Sequence, residues 1–315
     1  MKIFRSLALC AAVSCAAAAC ASNGGTKTTG TTTSSGGTKT IGVSIQDLEA
    51  QFYQQMETGM QSQAAKYGYK IVFVDANRDS SKQQSQVEDF ISKHVDAIVL
   101  TPYDSSAIGS AITEANQAGI PVFTADIANA SSQGKVIAHI ASNNVQGGSQ
   151  AGMLMCKALN GSGDVAILNE PEVTSVQDRV KGFRAALAQH CPNVKIVADV
   201  DSGGTRDKAN SDMGDILQAH KGLRGVFGIN DDSALGAVAA LKAANAGNVV
   251  VVGYDATPEA RTAIENGAMY GDAIQYPAQI GQKTVDAIHN YFNHKSVPAR
   301  IDVAVGTFTK ANSSK

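Results

Sequence analysis

Two doubly wound parallel-sheet domains of the α/β class are what this sequence predicts, on three observations. Short β-branched runs alternate with longer amphipathic stretches from residue 41 to residue 274, the order that builds parallel βαβ units. Ten such runs exceed what one small sheet usually holds, so two similar domains are expected. Two of the runs also close on Asp, and a third passes into Asn, which puts polar groups where the carboxyl ends of parallel strands form a crevice.

The strands are expected over 41–45, 70–74, 97–100, 122–125 and 136–140, then over 165–168, 194–199, 225–229, 249–252 and 269–274. Most are rich in Val, Ile or Phe and are bounded by turn residues. Amphipathic patterns over 51–67, 81–93, 105–118 and 145–159 read as helices between them. Gly68, Gly119 and Asn160-Gly161 follow helical stretches, and Thr257-Pro258-Glu259 reads as an N-cap, a first-turn Pro and an early acid. The break between domains is expected near 141–144, where a strand passes into Asn143-Asn144-Val145-Gln146-Gly147-Gly148.

The N-terminus predicts export. Lys2 and Arg5 precede a stretch over 6–19 that is uncharged and mostly Ala and Leu, too short for a permanent membrane helix. It reads as a secretory signal. Ala17-Ala18-Ala19-Cys20 resembles a lipobox, with Ala17 where Leu is usual, making Cys20 the lipidation site and 1–20 the signal. Cys10 and Cys15 read as small apolar residues of that signal. Residues 21–39 are nearly all Thr, Gly and Ser, a composition that cannot bury enough apolar surface to fold. As a flexible tether this segment spans about 25 Å. The resulting location is the periplasm or the outer face of the cell membrane, with a lipid anchor as the membrane attachment.

Composition excludes several functions. Net charge is −2 with no basic block, so nucleic acid is not an expected partner. The six His residues lack metal-ligand spacing. Neither a nucleophile motif nor a Gly-x-Gly-x-x-Gly after a strand occurs. No metal, no cofactor and no catalysis are expected. Cys156 and Cys191 remain in the body of an exported chain, either bridged or buried singly.

Asp126 ends Pro121-Val-Phe-Thr-Ala-Asp, Asp255 ends Val249-Val-Val-Val-Gly-Tyr-Asp, and Asn230 follows Gly225-Val-Phe-Gly-Ile. A carboxylate after an apolar run needs a partner, because burying it alone is costly. Thr257 stands where it would cap the next helix, which frees Asp255. Asp231 or Asp232 would cap the helix near Ser233, which frees Asn230. Acceptor-only carboxylates in a crevice suit a neutral ligand rich in hydroxyls, hence a carbohydrate or polyol.

Several segments together resemble a known family. They are residues 41–59, Ala138-His-Ile-Ala-Ser-Asn-Asn-Val-Gln-Gly-Gly, Arg179-Val-Lys-Gly-Phe, Val226-Phe-Gly-Ile-Asn-Asp-Asp-Ser-Ala-Leu-Gly-Ala, Val251-Val-Gly-Tyr-Asp-Ala-Thr-Pro and Ala273-Ile-Gln-Tyr-Pro-Ala-Gln-Ile-Gly. In order and spacing they resemble the ribose-binding-protein branch of the type I periplasmic binding proteins, from about Thr40 to the C-terminus. The resemblance implies two Rossmann-like lobes joined by a three-segment hinge, with 40–141 plus 276–303 in the first and 142–275 plus 304–311 in the second. It implies a monomer that closes on a sugar and delivers it to an ABC-type permease in the inner membrane, or alternatively feeds a chemoreceptor or sensor kinase. It also implies that Asp126, Arg179, Asn230, Asp255 and Gln275 contact the sugar and that Phe52 and Tyr53 pack on its ring. Three departures stand out: Ile127 replaces an Arg, Gly203-Gly204 replaces an aromatic, and the first helix lacks its Asn, leaving Glu49 or Gln51 for that role. Losing an Arg and a ring should change selectivity, so a sugar or polyol is expected but ribose is not.

Overall fold

The computed structural model describes residues 37–313. The expected signal (1–20), the lipidation site Cys20 and the tether up to residue 36 lie outside the described residues. The first part of the chain runs β1 (Thr40–Ile45), α1 (Gln51–Tyr67), β2 (Lys70–Asp75), α2 (Ser80–Ser92), β3 (Ala97–Leu100), α3 (Gly109–Gln117), β4 (Val122–Ala125) and β5 (Val136–Ser142). The second runs α4 (Asn144–Ala158), β6 (Ser162–Asn169), α5 (Thr174–His190), β7 (Asn193–Asp201), α6 (Arg206–Ala219), β8 (Leu223–Gly228), α7 (Asp231–Ala243), β9 (Val250–Asp255), α8 (Pro258–Glu265) and β10 (Gly271–Ile274). The chain then continues through α9 (Pro277–Phe292), β11 (Arg300–Val303) and β12 (Gly306–Thr309).

Two six-stranded sheets result, in the orders β11-β5-β4-β3-β1-β2 and β12-β10-β9-β8-β6-β7. Their pairings are parallel except for β10 with β12. Each sheet therefore reverses its winding beside its first strand, between β1 and β3 or between β6 and β8. That reversal leaves a crevice at the carboxyl ends of the strands. The chain passes between the sheets three times, at 142–144, 274–277 and 303–306. Asn143 N donates to the Val303 carbonyl at 3.2 Å, tying two of these passages together.

Both sheets are apolar on their two faces, as central parallel strands require. Ile41, Val43 and Phe123 pack under α1 and α9, while Ile98, Leu100 and Phe90 fill the opposite face. Phe183 stacks on Phe227 at 4.4 Å between ring centres in the second lobe. Glycines set the closest helix contacts. A Cβ on Gly148 would strike the Arg179 carbonyl, and one on Gly182 the Val145 carbonyl, so α4 and α5 touch backbone to backbone. At the far ends of these two helices Cys156 and Cys191 are disulfide-bonded, with Cα atoms 5.8 Å apart.

The structure differs from the sequence reading in three elements. Among the described residues twelve strands form rather than ten, because β11 (Arg-Ile-Asp-Val) and β12 (Gly-Thr-Phe-Thr) are short edge strands that lack the continuous apolar run marking β3. Helix α3 starts at Gly109 rather than at 105. The Asp104 carboxylate accepts from Ser106 N (2.7 Å) and Ala107 N (3.0 Å), holding 105–108 as a turn instead.

Candidate functional site

Residues at the carboxyl ends of strands from both sheets line one narrow cavity of about 50 Å³. Gln46 follows β1, Asp126 follows β4, Glu170 follows β6, Asn230 lies just beyond β8, Asp255 ends β9 and Gln275 follows β10. Two of the carboxylates sit on strained backbone. Asp126 has φ +63°, which Asp tolerates better than most residues. Asp255, at φ +118°, and Ala256, at +58°, lie where L-residues are rare, a cost of order 1–3 kcal/mol each that surrounding structure must hold in place.

Local hydrogen bonds fix these side chains. The Tyr53 hydroxyl accepts from Gln46 Nε2 (2.6 Å) and donates to Asp126 Oδ2 (3.1 Å). Phe52 meets the Tyr53 ring edge-on at 5.1 Å. Gln275 Nε2 donates to Asp255 Oδ1 at 2.7 Å. Arg179 is only 4% exposed; its Nε donates to Asn144 Oδ1 (3.0 Å), its Nη1 donates to the Ile229 carbonyl (2.9 Å), and its guanidinium lies 4.2 Å from the centre of the Tyr254 ring. Apart from Asp231, which turns back towards Asp272, three buried atoms on cavity-lining residues keep no partner among the described residues: Gln46 Oε1, Asp126 Oδ1 and Gln275 Oε1. All three are acceptors.

Burial dominates the electrostatics. It raises Asp126, against the opposing pull of Arg179 and the Tyr53 hydroxyl. Asp255 is pushed well above the carboxylate range by burial, again opposed by Arg179. For Arg179 burial acts downward, but the Asp255 and Asp126 charges outweigh it and keep the guanidinium protonated. Behind the cavity, burial and the neighbouring Asp272 charge push Asp231 well up, so the two facing carboxyls share a proton. That shared proton also gives partners to oxygens otherwise without one.

The expected contact residues Phe52, Tyr53, Asp126, Arg179, Asn230, Asp255 and Gln275 all line this cavity. Their expected local roles need two corrections. Asn230 does cap a helix: α7 begins at Asp231, and Asn230 Oδ1 accepts from Ser233 N at 2.8 Å while Nδ2 donates to the Gly204 carbonyl at 2.9 Å. Asp231 instead accepts from Thr257 N at 2.6 Å, and Thr257 occupies the N-cap position of α8 without a side-chain cap bond. Of the two substitutes for the missing Asn, Gln51 lines the cavity, but Glu49 is exposed in the outer crevice with Asp47, Arg78 and Arg206. Ile127, 1% exposed, crosses from the first lobe to pack with Val173 and Val176 of the second.

Sequence reading missed four residues. Gln46 and Glu170 follow strands as Asp126 does, and the same strand-end rule applied to them would have found both. Asn144 and Arg78 carry no local signal, since their partners are distant in sequence. Arg78, on the β2–α2 loop, donates from Nε to Asp47 Oδ2 and from Nη1 to Glu170 Oε1, each at 2.9 Å. Glu170 belongs to the other lobe, so this ion triad clamps the cleft mouth. Opposite it, Thr174 N donates to Ser105 Oγ and Ala128 N to Thr174 Oγ1, each at 3.1 Å. Gly204, at φ +61°, lies so close that a Cβ would strike the Glu170 carboxylate.

The profile of the periplasmic binding protein domain matches residues 41–296. The ribose import binding protein of Escherichia coli is 34% identical over 265 residues, covering 84% of this chain and 88% of that protein. Among solved structures, an ABC transporter solute binding protein from Bacillus halodurans with bound myo-inositol is 30% identical with a TM-score of 0.81, covering 88% of this chain and 96% of its own. Another from Actinobacillus succinogenes, with bound D-allose, has a TM-score of 0.81 at 28% identity, covering 88% and 99%.

Proposed function

This chain belongs to the periplasmic binding protein family, as a solute-binding protein of the sugar ABC-transporter type rather than an enzyme, and we propose that it is exported, captures a monosaccharide or cyclic polyol between its lobes and delivers it to an ABC-type permease. One observation carries the reading. Among the described residues, three unpartnered buried acceptors sit on residues lining a single cavity beside Arg179. Hydroxyl groups are the donors that such acceptors need, and desolvated acceptors left unpaired cost about 1–3 kcal/mol each. Arg179 donates to ring or hydroxyl oxygens, and Phe52 offers an apolar face to C–H groups. A cavity of about 50 Å³ leaves no room for an oligosaccharide.

Ribose is not the expected ligand, because Ile127 puts a buried apolar wall where the related pattern has a guanidinium. Cys20 serves as the lipid anchor and the chain acts as a monomer; a Cys20→Ala variant that still fractionates with membranes removes the anchor from this reading. A thermal-shift screen of pentoses, hexoses and polyols tests the function. The true ligand at 100 times its Kd adds about 2.7 kcal/mol of stability. A panel in which no sugar or polyol raises the melting temperature counts decisively against a sugar-binding role.

A further inference from the structure

Charge in the cavity is unbalanced in a way that narrows the ligand further. Six carboxyl side chains line it against three guanidiniums, with no Lys or His among the described lining residues, and burial holds two of the six, Asp231 and Asp255, towards their neutral forms. Two of the guanidiniums are already matched at the rim: Arg78 pairs with Asp47 and Glu170, and Arg206 pairs with Asp232 (3.2 Å) and Glu259 (2.8 Å). At the centre Arg179 alone faces Asp126 and Asp255, and its Nε and Nη1 are committed to Asn144 and the Ile229 carbonyl. Ile127, beside Asp126, brings no charge. Asp126 is 2% exposed and its Oδ1 has no partner. A buried, half-satisfied carboxylate in a cavity short of cations is unstable unless something positive or strongly donating fills the space. The unpartnered Gln46 and Gln275 oxygens add acceptors and no donor to the same cavity.

We propose that the ligand is an amino sugar or aminocyclitol whose ammonium group sits against Asp126 Oδ1. This rests on the cavity being a sugar or polyol site and specifies which members of that class it selects. An ammonium supplies three donors in one group and a direct ion pair for Asp126, since Arg179 bonds to Asn144 and the Ile229 carbonyl instead. It answers the Asp126 oxygen directly and leaves the remaining hydroxyls for Gln46, Gln275 and Asp255. An anionic sugar meets the opposite environment and is rejected.

Calorimetry on the full exported chain, using matched pairs, decides the matter: glucosamine against glucose, an aminocyclitol against myo-inositol, and glucuronate as the anionic control. The amine member of the pair that fits binds about tenfold tighter or more, since a charge-assisted bond exceeds a neutral one by about that factor. Glucuronate gives no heat. In Asp126→Asn, which keeps the shape and removes the charge, the preference for the amine disappears while the hydroxyl member retains measurable affinity. Equal or tighter binding of the hydroxyl member in every pair that binds overturns the proposal and leaves the sugar-site reading standing. An amine preference that survives Asp126→Asn also overturns it, because another group then holds the cation. No binding by either amines or neutral sugars and polyols overturns both the proposal and the site.

Discussion

Asp126 combines burial, a left-handed backbone and one unpartnered oxygen, and Asp255 combines burial with a rarer backbone still. Neither stabilises the fold: in each, burial pushes the carboxyl towards its neutral form. Their removal is therefore expected to spare folding and damage binding. Asp126→Ala and Asp255→Ala should each weaken ligand affinity by roughly 1.5–3 kcal/mol, the size of a charge-assisted hydrogen bond, with unchanged circular dichroism. Calorimetric affinities near wild type in both variants would remove these residues from the site. Ile127 acts by shape. It packs on Val173 and Val176 across the cleft, so Ile127→Arg must break that apolar contact and set a guanidinium against Asp126 in place of the ligand. Affinity is expected to drop at least about tenfold, a cost of about 1.4 kcal/mol. A variant that binds the native ligand as tightly as wild type shows that position 127 does not shape the pocket.

At the scale of elements, the β2–α2 and β6–α5 loops matter more than any helix, because Arg78 on the first holds Glu170 on the second. The Glu170 side chain is only 4% exposed. Burial raises its carboxyl, and the Arg78 charge is the main force holding it down. Arg78→Ala leaves that carboxylate buried without its partner in the closed form, while opening the lobes rehydrates it. Removing one member of a buried charge pair acts mainly on dissociation. Stopped-flow measurements should show the ligand leaving Arg78→Ala about tenfold faster or more, with a smaller change in association. Adding Glu170→Gln to Arg78→Ala should recover part of the loss, because the stranded charge is gone. If the single variant releases ligand at the wild-type rate, the triad does not hold the cleft shut.

Across the whole molecule, buried carboxyls give stability an unusual dependence on pH. Burial raises Asp272 from its ordinary value near 3.8 to about 7. Between those values the folded chain keeps a proton that the unfolded chain has released, so this group lowers stability progressively as pH rises from about 4 to about 7. His139 works the other way. Burial drops it from 6.5 to about 4, so the unfolded chain binds the extra proton and stability from this group rises across that window. A wild-type profile mixes both trends, but the difference between Asp272→Asn and wild type removes the shared titration of the Asp231–Asp272 pair. In urea unfolding, the stability of the variant relative to wild type should climb between pH 4 and pH 7. A flat difference would mean that Asp272 is already ionised in the folded chain at the acid end.

Periodicity and composition settle the α/β class, ten of the twelve strands among the described residues and the carboxylates at strand ends, because apolar runs, turn residues and polar punctuation are local properties of the chain. Even Gln46 and Glu170 lie within reach of the same rule. What the sequence leaves open is every role set by a neighbour from elsewhere in the chain. Asp231 and Asp232 are the caps the sequence offers for α7; the Thr257 amide and the facing Asp272 claim Asp231, Arg206 pairs with Asp232, and the cap falls to Asn230. By its own local sequence Arg179 reads as a solvated helix residue; Gly148 and Gly182 bring α5 onto α4 and bury it beside Tyr254. Arg78 becomes a clamp only because the second lobe carries Glu170 to it. Hydrogen bonds and charge pairs depend on distances of a few ångströms, and for residues far apart in sequence those distances exist only once the lobes have packed.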